Sequence, residues 1–205
     1  MATHTISIAA PAEDEAAAAD AIELHCAADG SPLRIAAASG GTWHVVARNA
    51  ATFTRLAHEA MRCPAVERVP GFGGLLSATS VLENIVLPAV YHGRIGGEDL
   101  AAAVYDAFEA CAMGREQADA LCERSVSDLD GYEQRLVCLL RALLMRPAAL
   151  LCERIFEGLA PGDVERVAQF PAYYRRVVAK GTVVFLEIAG MAHPEITSCV
   201  RVDAA

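Results

Sequence analysis

The stretch Ala149-Leu150-Leu151-Cys152 is wholly apolar and lies between Pro147 and the charged pair Glu153-Arg154. A short apolar run of this kind is typical of a strand that is covered on both faces. A helical segment, residues 163–179, separates it from a second buried run, residues 182–186. Strand, helix and strand in this order predict parallel pairing and therefore an α/β core.

The segments before this core carry further periodic signals. Three β-prone runs, 21–26, 33–38 and 43–47, are separated by Asp29-Gly30 and Gly40-Gly41, which are turn dipeptides that predict hairpins. Residues 5–10 predict another strand, and 11–20 a loop or short helix. A helix over 50–63 would place Phe53, Leu56, Ala57 and Ala60 on one face. After the Gly-rich loop 70–74, helices are predicted over 81–87, 97–113, 116–123 and 132–146.

The composition excludes several classes of function. The 205 residues include 17 Lys+Arg and 26 Asp+Glu, and the resulting net charge of −9 disfavours a general nucleic-acid binder. Mean hydropathy is +0.30, but no run reaches the ~18 uninterrupted apolar residues of a spanning helix. We therefore expect a cytoplasmic protein without direct membrane insertion. The cysteines form no CxxC pair and the histidines lack ligand spacing, so no metal site is predicted.

Three segments, in this order, are similar to the ATP-binding subunits of ABC transporters. Residues 75–88, Leu-Leu-Ser-Ala-Thr-Ser-Val-Leu-Glu-Asn-Ile-Val-Leu-Pro, resemble the stretch that follows the Q-loop. Residues 129–143, which begin Leu-Asp-Gly-Tyr-Glu-Gln-Arg-Leu, resemble the signature helix. Residues 146–154 resemble the Walker B strand. The resemblance spans about residues 33–202.

This resemblance implies a P-loop-NTPase-like ABC ATPase core in a single domain, 1–205, with a helical lobe inserted at about 81–127. We expect its sheet to have parallel strands near residues 43–47, 149–152 and 182–186. In the family the lobe docks on a membrane permease subunit, and the ATPase pairs with a second ATPase. We therefore expect a permease partner, and an active ATPase subunit or a second copy of this chain. The residues expected to contact partners are Phe72, Leu75, Leu76, Leu129, Asp130, Gly131, Tyr132 and Glu133. The spellings Gly73-Gly74-Leu75-Leu76 and Glu83-Asn84 resemble lipid-trafficking transporters with mammalian-cell-entry partners.

The phosphate-binding positions of the family hold other residues in this chain. The cradle GxxGxGK[ST] needs glycines for close approach of backbone N–H groups and a lysine for the phosphate charge. Alignment through the following helix places Ala47, Ala50 and Thr52 at the glycines, Phe53 at the lysine and Thr54 at the final position. Lys180 is the only lysine in the chain, and it precedes the strand that should carry the switch histidine.

The remaining motif positions also differ from the family. The Walker B aspartate and glutamate map to Glu153 and Arg154, and an arginine cannot accept a proton at neutral pH. The Q-loop glutamine maps to Gly71, the D-loop aspartate to Ala160 and the switch histidine to Ile188. Asp130 and Tyr132 replace the serine and second glycine of the signature.

These differences predict a non-hydrolysing pseudo-ATPase with no catalytic residue, bound cofactor or metal, although weak binding of ATP or Mg²⁺ stays open. Only 18 positions separate Phe53 from Gly71, fewer than the family usually has, which predicts a trimmed core without a sheet segment after the first helix. We expect a structural or regulatory subunit at the cytoplasmic face of the inner membrane. Two alternatives remain: a low-turnover ATPase subunit, and a free-standing cytoplasmic interaction protein on the same scaffold.

Overall fold

The central element of the structure is a parallel sheet. A computed structural model describes residues 21–26, 32–190 and 200–204. In these residues the strands are β1 (Ala21–Leu24), β2 (Leu33–Ala36), β3 (Thr42–Ala47), β4 (Val66–Pro70), β5 (Ala149–Glu153), β6 (Thr182–Ile188) and β7 (Val200–Ala204). Five of them form the parallel sheet in the order β4–β5–β6–β3–β7, whereas β1 and β2 pair antiparallel in a separate ribbon.

Seven helices of the described residues cover the sheet. They are α1 (Ala50–Ala60), α2 (Val81–Tyr91), α3 (Leu100–Ala110), α4 (Arg115–Cys122), α5 (Gly131–Met145), α6 (Pro161–Val167) and α7 (Phe170–Val177). A short 3-10 turn, Val126–Asp128, leads into α5. Because side chains alternate along a strand, β6 sends Val184 and Leu186 to one face and Val183 and Phe185 to the other. All four are buried, so the sheet separates two apolar cores.

The smaller core lies between the sheet and α1. It contains Leu56 of α1, Ile22 of β1 and Ile35 of β2. The larger core lies on the opposite face, where α5 packs on the sheet and is itself covered by helices of the α2–α4 segment. Leu139 and Leu140 of α5 are fully buried in this core.

The α/β core and the parallel pairing of residues 43–47, 149–152 and 182–186 are confirmed. The hairpin expected at Gly40-Gly41 is wrong, because β2 pairs with β1 while β3 enters the other sheet between β6 and β7. Gly40 adopts a φ of +73° and donates its N–H to the oxygen of Lys180 at 2.7 Å, which directs β3 towards β6. Residues 5–20 and the Asp29-Gly30 turn lie outside the described residues.

Several helices and one strand also differ from the sequence prediction. The helix expected to end at Leu87 continues through Pro88 to Tyr91. Residues 163–179 form two helices, because α6 ends before Ala168 and a new helix begins at Phe170 with Pro171 in its first turn. No strand was predicted between α1 and the Gly-rich loop, yet β4 lies there and pairs with β5. No helix within the described part of the chain is long and apolar enough to span a bilayer.

Candidate functional site

The residues assigned to a nucleotide site meet at one edge of the parallel sheet. Gly71 follows β4, Glu153 ends β5, Ile188 ends β6 and Ala47 ends β3. Ala47 and Ile188 are register partners, and Gly71 donates its N–H to the oxygen of Glu153 at 2.7 Å. The carboxyl ends of parallel strands are the usual ligand site of open α/β sheets. The fold therefore brings the sequence-assigned positions together at a ligand-binding edge.

The connection between β3 and α1 consists of Arg48 and Asn49 alone. The Asn49 side chain accepts the N–H of Thr52 at 2.9 Å, and the Asn49 carbonyl accepts the N–H of Phe53 at 3.0 Å. A phosphate cradle needs such N–H groups to point from an open loop at the ligand. Here helical structure begins at Ala50, within the stretch aligned with the cradle. Two of the N–H groups already donate hydrogen bonds to oxygens of Asn49.

The side chains that follow this turn are directed to structural contacts. Phe53, at the lysine position, is half-buried and packs against the smaller core. Thr54, at the final position of the motif, donates its hydroxyl to the Ala50 oxygen at 3.0 Å. Lys180 precedes β6, so this strand, roughly 20 Å long at the rise of a β-strand, separates it from Ile188.

Glu153, at the Walker B aspartate position, is buried and already paired. Its exposed fraction is 5%, and its Oε2 accepts a hydrogen bond from Nη2 of Arg68 at 2.6 Å. A cation at this carboxylate would compete with that guanidinium, which is half exposed at the surface.

Arg154, at the catalytic glutamate position, makes a two-pronged ion pair with its neighbour in the turn. Its Nε and Nη2 each donate to the Glu157 carboxylate at 2.5 Å, and this hydrogen bonding raises the pKa of Arg154. Arg154 also adopts a φ of +48°, an uncommon conformation for a residue with a side chain. Its guanidinium carbon lies 5.4 Å from the ring centre of Phe72.

Gly71, at the Q-loop glutamine position, has no room for a side chain. A Cβ atom added to it would lie 2.1 Å from the Arg154 oxygen and 2.9 Å from the Glu153 oxygen. Both neighbours are backbone atoms at the end of β5, so they cannot rotate away. A glutamine therefore requires a different backbone here.

Glu187 is a buried carboxyl at the same sheet edge that the sequence analysis missed. It lies near the end of β6 with no exposed surface, and neither oxygen makes a hydrogen bond that meets the usual geometry. Burial raises the pKa of Glu187 to about 8, although the N–H groups of Phe156 and Ile155 and the charge of Arg154 act against this rise. The signal in the sequence was an acidic residue directly after the apolar run 183–186 of this strand.

The N-terminus of α5, at the signature position, is capped by the chain itself. Asp130 accepts the N–H of Glu133 at 2.8 Å, and the Glu133 carboxylate accepts the N–H of Asp130 at 2.9 Å. Glu133 also pairs with Arg124. Two carboxylates thus occupy the place where this helix could attract an anion. Ala160, at the D-loop position, immediately precedes α6 and provides no side-chain cap.

The predicted partner contacts divide into exposed and buried residues. Phe72 and Leu76 are about half exposed, at 53% and 51%. The exposed set also includes Asp130 and Gly131, while Leu75 and Glu133 are intermediate. Leu129 and Tyr132 are buried at 6% and 5% exposure, which corrects the prediction for these two, because their side chains pack inside the larger core.

A wider apolar surface on α2 was not predicted. The buried side of this helix carries Val81, Asn84, Ile85 and Ala89, yet its solvent side is also apolar. We call this solvent side the α2 surface, defined by Leu82, Leu87, Val90, Tyr91 and the adjoining Leu76, all exposed. Asn84 fixes Leu76 to the helix, because its amide accepts the N–H of Leu76 at 2.7 Å and donates to the Leu76 oxygen at 3.0 Å.

Apolar residues on every side of a helix are normal only where the helix is enclosed. The only charged side chain on the exposed half of α2 is Glu83, which is engaged in the capping box with Ser80. Continuous exposed apolar surfaces of this kind mark interaction sites. The signal in the sequence was the lack of polar residues over 85–90.

The described residues contain no group of three or more His, Cys, Asp or Glu side chains able to hold a metal ion. The six cysteines in the described ranges are free, and five of them are buried. Burial raises the pKa of the Cys138 thiol to about 11, so this thiol is protonated at neutral pH and is a poor nucleophile.

The chain resembles known proteins in its fold more than in its sequence. No protein-family model matches the chain. Among curated proteins it is 25% identical over 97 residues to the methionine import ATP-binding protein MetN of Chlamydia pneumoniae, a match covering 47% of this chain. The matched region is 27% of that relative, so the chain spans about a quarter of its length.

Solved structures match over most of the chain. CbiO1 of Clostridium perfringens, part of the ABC transporter complex CbiONQ, superposes with a TM-score of 0.63 at 14% identity, covering 82% of this chain and 79% of that one. An inward-facing ABC transporter of the metal-chelate type gives 0.62 at 16% identity, with 80% and 70% coverage. A dimeric ATP-binding cassette with bound ADP and Pi gives 0.57 at 13% identity, with 85% and 87% coverage. The chain therefore has the α/β fold of the ATP-binding cassettes of ABC transporters.

Proposed function

We propose that the protein is a non-hydrolysing, structural or regulatory subunit of an ABC transporter complex. The observation that carries this proposal is the β3–α1 connection, where a two-residue turn capped by Asn49 replaces an open phosphate loop. Phe53 offers no charge to a phosphate, and Arg154 offers no base to a water molecule. The five-stranded parallel sheet of the described residues nevertheless brings these positions to one of its ends.

We further propose that the α2 surface binds a permease subunit. An apolar helix from a membrane protein would cover Leu82, Leu87, Val90 and Tyr91, which no described residue covers. The resemblance of residues 75–88 to the family stretch beside the permease supports this assignment. An active ATPase subunit or a second copy of the chain would complete the complex, which we place at the cytoplasmic face of the inner membrane.

Lipid transport is the substrate class we propose, on the resemblance of Gly73-Gly74-Leu75-Leu76 and Glu83-Asn84 to lipid-trafficking transporters. Glu83 caps α2 and Asn84 holds Leu76, so both residues also have a local structural role. Lipid extraction and mass spectrometry of the purified complex test this class. Recovery of a water-soluble substrate instead would contradict it.

Nucleotide binding and hydrolysis are the direct test of the non-hydrolysing assignment. Titration calorimetry with ATP and Mg²⁺ should show no saturable binding, and phosphate release should stay at the rate of buffer alone. The variant Phe53→Lys should behave identically, because the capped turn and the absent glycines remain. Tight ATP binding with Mg²⁺-dependent hydrolysis by the unmodified protein would support the low-turnover ATPase alternative and contradict the proposal.

Co-purification from membranes tests the partner. A tagged chain extracted in mild detergent should retain a permease, identified by mass spectrometry, and Leu87→Glu should lose it. Glu165→Gln, an exposed change on α6, is the matched control and should retain the permease. Recovery of the unmodified chain only in the soluble fraction would favour the free-standing interaction protein.

A further inference from the structure

The loop between β4 and α2, residues 71–80, is held at several separate points. At its start Gly71 bonds the end of β5, and Leu76 is fixed by Asn84. Between them the oxygen of Gly74 accepts a hydrogen bond from Arg141 of α5. The exposed apolar side chains of this loop, Phe72 and Leu76, therefore stand on a backbone that is tied to two helices and to the sheet.

Phe72 is held by charges in addition to backbone bonds. The guanidinium carbons of Arg135 and Arg154 lie 5.1 and 5.4 Å from its ring centre. Arg135 is fixed from below, because its nitrogens donate to the oxygens of Ile155, Gly131 and Glu157 at 2.5–2.6 Å. Each guanidinium within about 6 Å of an aromatic ring contributes a favourable interaction.

Arg154 contributes through its backbone as well as its side chain. Its N–H donates to the Leu186 oxygen at 2.9 Å, and its positive φ turns its own oxygen towards Gly71. A non-glycine residue in this conformation persists only where its surroundings hold it. Those surroundings here are the Glu157 ion pair and the Phe72 ring.

We propose that Arg154 is a positioning residue that fixes the start of the β4–α2 loop, so that Phe72 is presented to a partner in one conformation independently of nucleotide. The residue at the catalytic glutamate position would then serve partner docking. This inference rests on the proposed function only for the identity of the partner. The fixed loop is a property of the isolated chain.

Residue-resolved hydrogen–deuterium exchange of the isolated full chain tests the proposal. Arg154→Gly removes the guanidinium but suits the positive φ, so the fold should be retained. Exchange of the Gly71 amide should become about two- to fivefold faster, as expected from the loss of one cation–π contact and its ion pair. The Leu76 amide, held separately by Asn84, should keep its rate.

Arg146→Gly is the matched control, because Arg146 shares the positive φ, at +47°, and is an exposed arginine at the end of α5. It should leave Gly71 exchange unchanged. Glu157→Gln, which removes the ion pair alone, should give a smaller acceleration than Arg154→Gly. Unchanged Gly71 exchange in Arg154→Gly, or equal acceleration in Arg146→Gly, would overturn the proposal.

Adding ATP and Mg²⁺ to the unmodified chain should change neither amide. A nucleotide-dependent change at Gly71 would overturn the nucleotide independence stated here. If no permease co-purifies with the unmodified chain while amide exchange follows the expected pattern, the proposed function is contradicted and the fixed loop remains supported.

Discussion

Glu187 is an ionisable side chain in surroundings that disfavour its charged form. It lies without exposed surface beside Ile155 and Phe156, and the charged groups that face it are Arg154, Arg135 and Glu157. Both guanidinium groups have other partners, Arg135 with backbone oxygens and Arg154 with Glu157. Removal from water therefore dominates and favours the neutral carboxylic acid.

This environment predicts that stability falls as pH rises. Below about pH 4.5 the carboxyl is protonated in the folded and unfolded chain alike, and between 4.5 and its folded pKa of about 8 only the folded chain keeps the proton. The free energy of unfolding should therefore decrease by roughly 3 kcal/mol between pH 5 and 8 through this group. Glu187→Gln should remove that decrease, as measured by urea unfolding at several pH values.

The control for this experiment is Glu165→Gln, a change at an exposed position of α6. It should leave the pH dependence of the unmodified protein intact. Parallel pH curves for Glu187→Gln and the unmodified protein would show that Glu187 is ionised in the folded chain near pH 7.

The helix α2 shows how one element can serve the core and a surface at once. Its buried side locks into the larger core through Ile85, which has no exposed surface. On its outer side Leu87 is 47% exposed and Tyr91 is 82% exposed, so these side chains contribute little to the buried core. Stability and association should therefore be separable on this helix.

Two substitutions, one on the buried side of α2 and one on its outer side, measure stability and association separately. Ile85→Ala should cost about 2–5 kcal/mol of unfolding free energy, because it leaves a cavity in the core. Leu87→Gln should change stability by less than about 0.5 kcal/mol and should reduce self-association in sedimentation experiments. A large loss of stability in Leu87→Gln would show that the outer side of α2 packs within the chain.

Elements with strong local signals were predicted, and those that depend on tertiary contacts were not. Residues 149–152 of β5 and 183–186 of β6 are wholly apolar, which is why the parallel pairing of these two strands could be predicted from the sequence. The strand β4 contains Glu67, Arg68 and a terminal proline, and it is a strand because β5 lies beside it. Pro88 could stay inside α2 because the helix is anchored on both sides of it, by the Ser80 cap and by Ala89 in the core.

At the scale of the whole molecule the parallel sheet is shared by two cores. Leu56 of α1 is buried on one face and Leu139 of α5 on the other, both without exposed surface. Adjacent residues of β6 alternate between these cores. Both cores therefore pack on the same strand, and neither can lose it while the other stays intact. This arrangement predicts that the two faces unfold together.

Leu56→Ala and Leu139→Ala test this coupling. Each should cost about 2–5 kcal/mol, and in the double variant the losses should add, because the sheet separates the two sites. Unfolding curves from far-ultraviolet circular dichroism and from the fluorescence of the single tryptophan, Trp43, should coincide in every variant. Separate transitions for the two signals would show that the cores unfold independently.

The candidate site could be predicted as a location but only partly as a structure. The resemblance assigned Ala47, Gly71, Glu153 and Ile188 to motif positions, and the structure brings them to one end of the sheet because they follow or end parallel strands. The burial of Tyr132 and the contacts of Arg154 with Glu157 and Phe72 depend on residues distant in sequence or on a strained turn. Pattern and spacing carry no information about such contacts.

The short turn between β3 and α1 bears on how many changes a phosphate-binding site would need in this chain. Phe53→Lys would remove an apolar contact with the smaller core. The new charge would lie beside a helix N-terminus that Asn49 already caps. A glutamine at position 71 would collide with the Arg154 oxygen, and a glutamate at position 154 would face Glu157. Each of these substitutions is unfavourable by itself, so no single change would give this end of the sheet the groups of a nucleotide site.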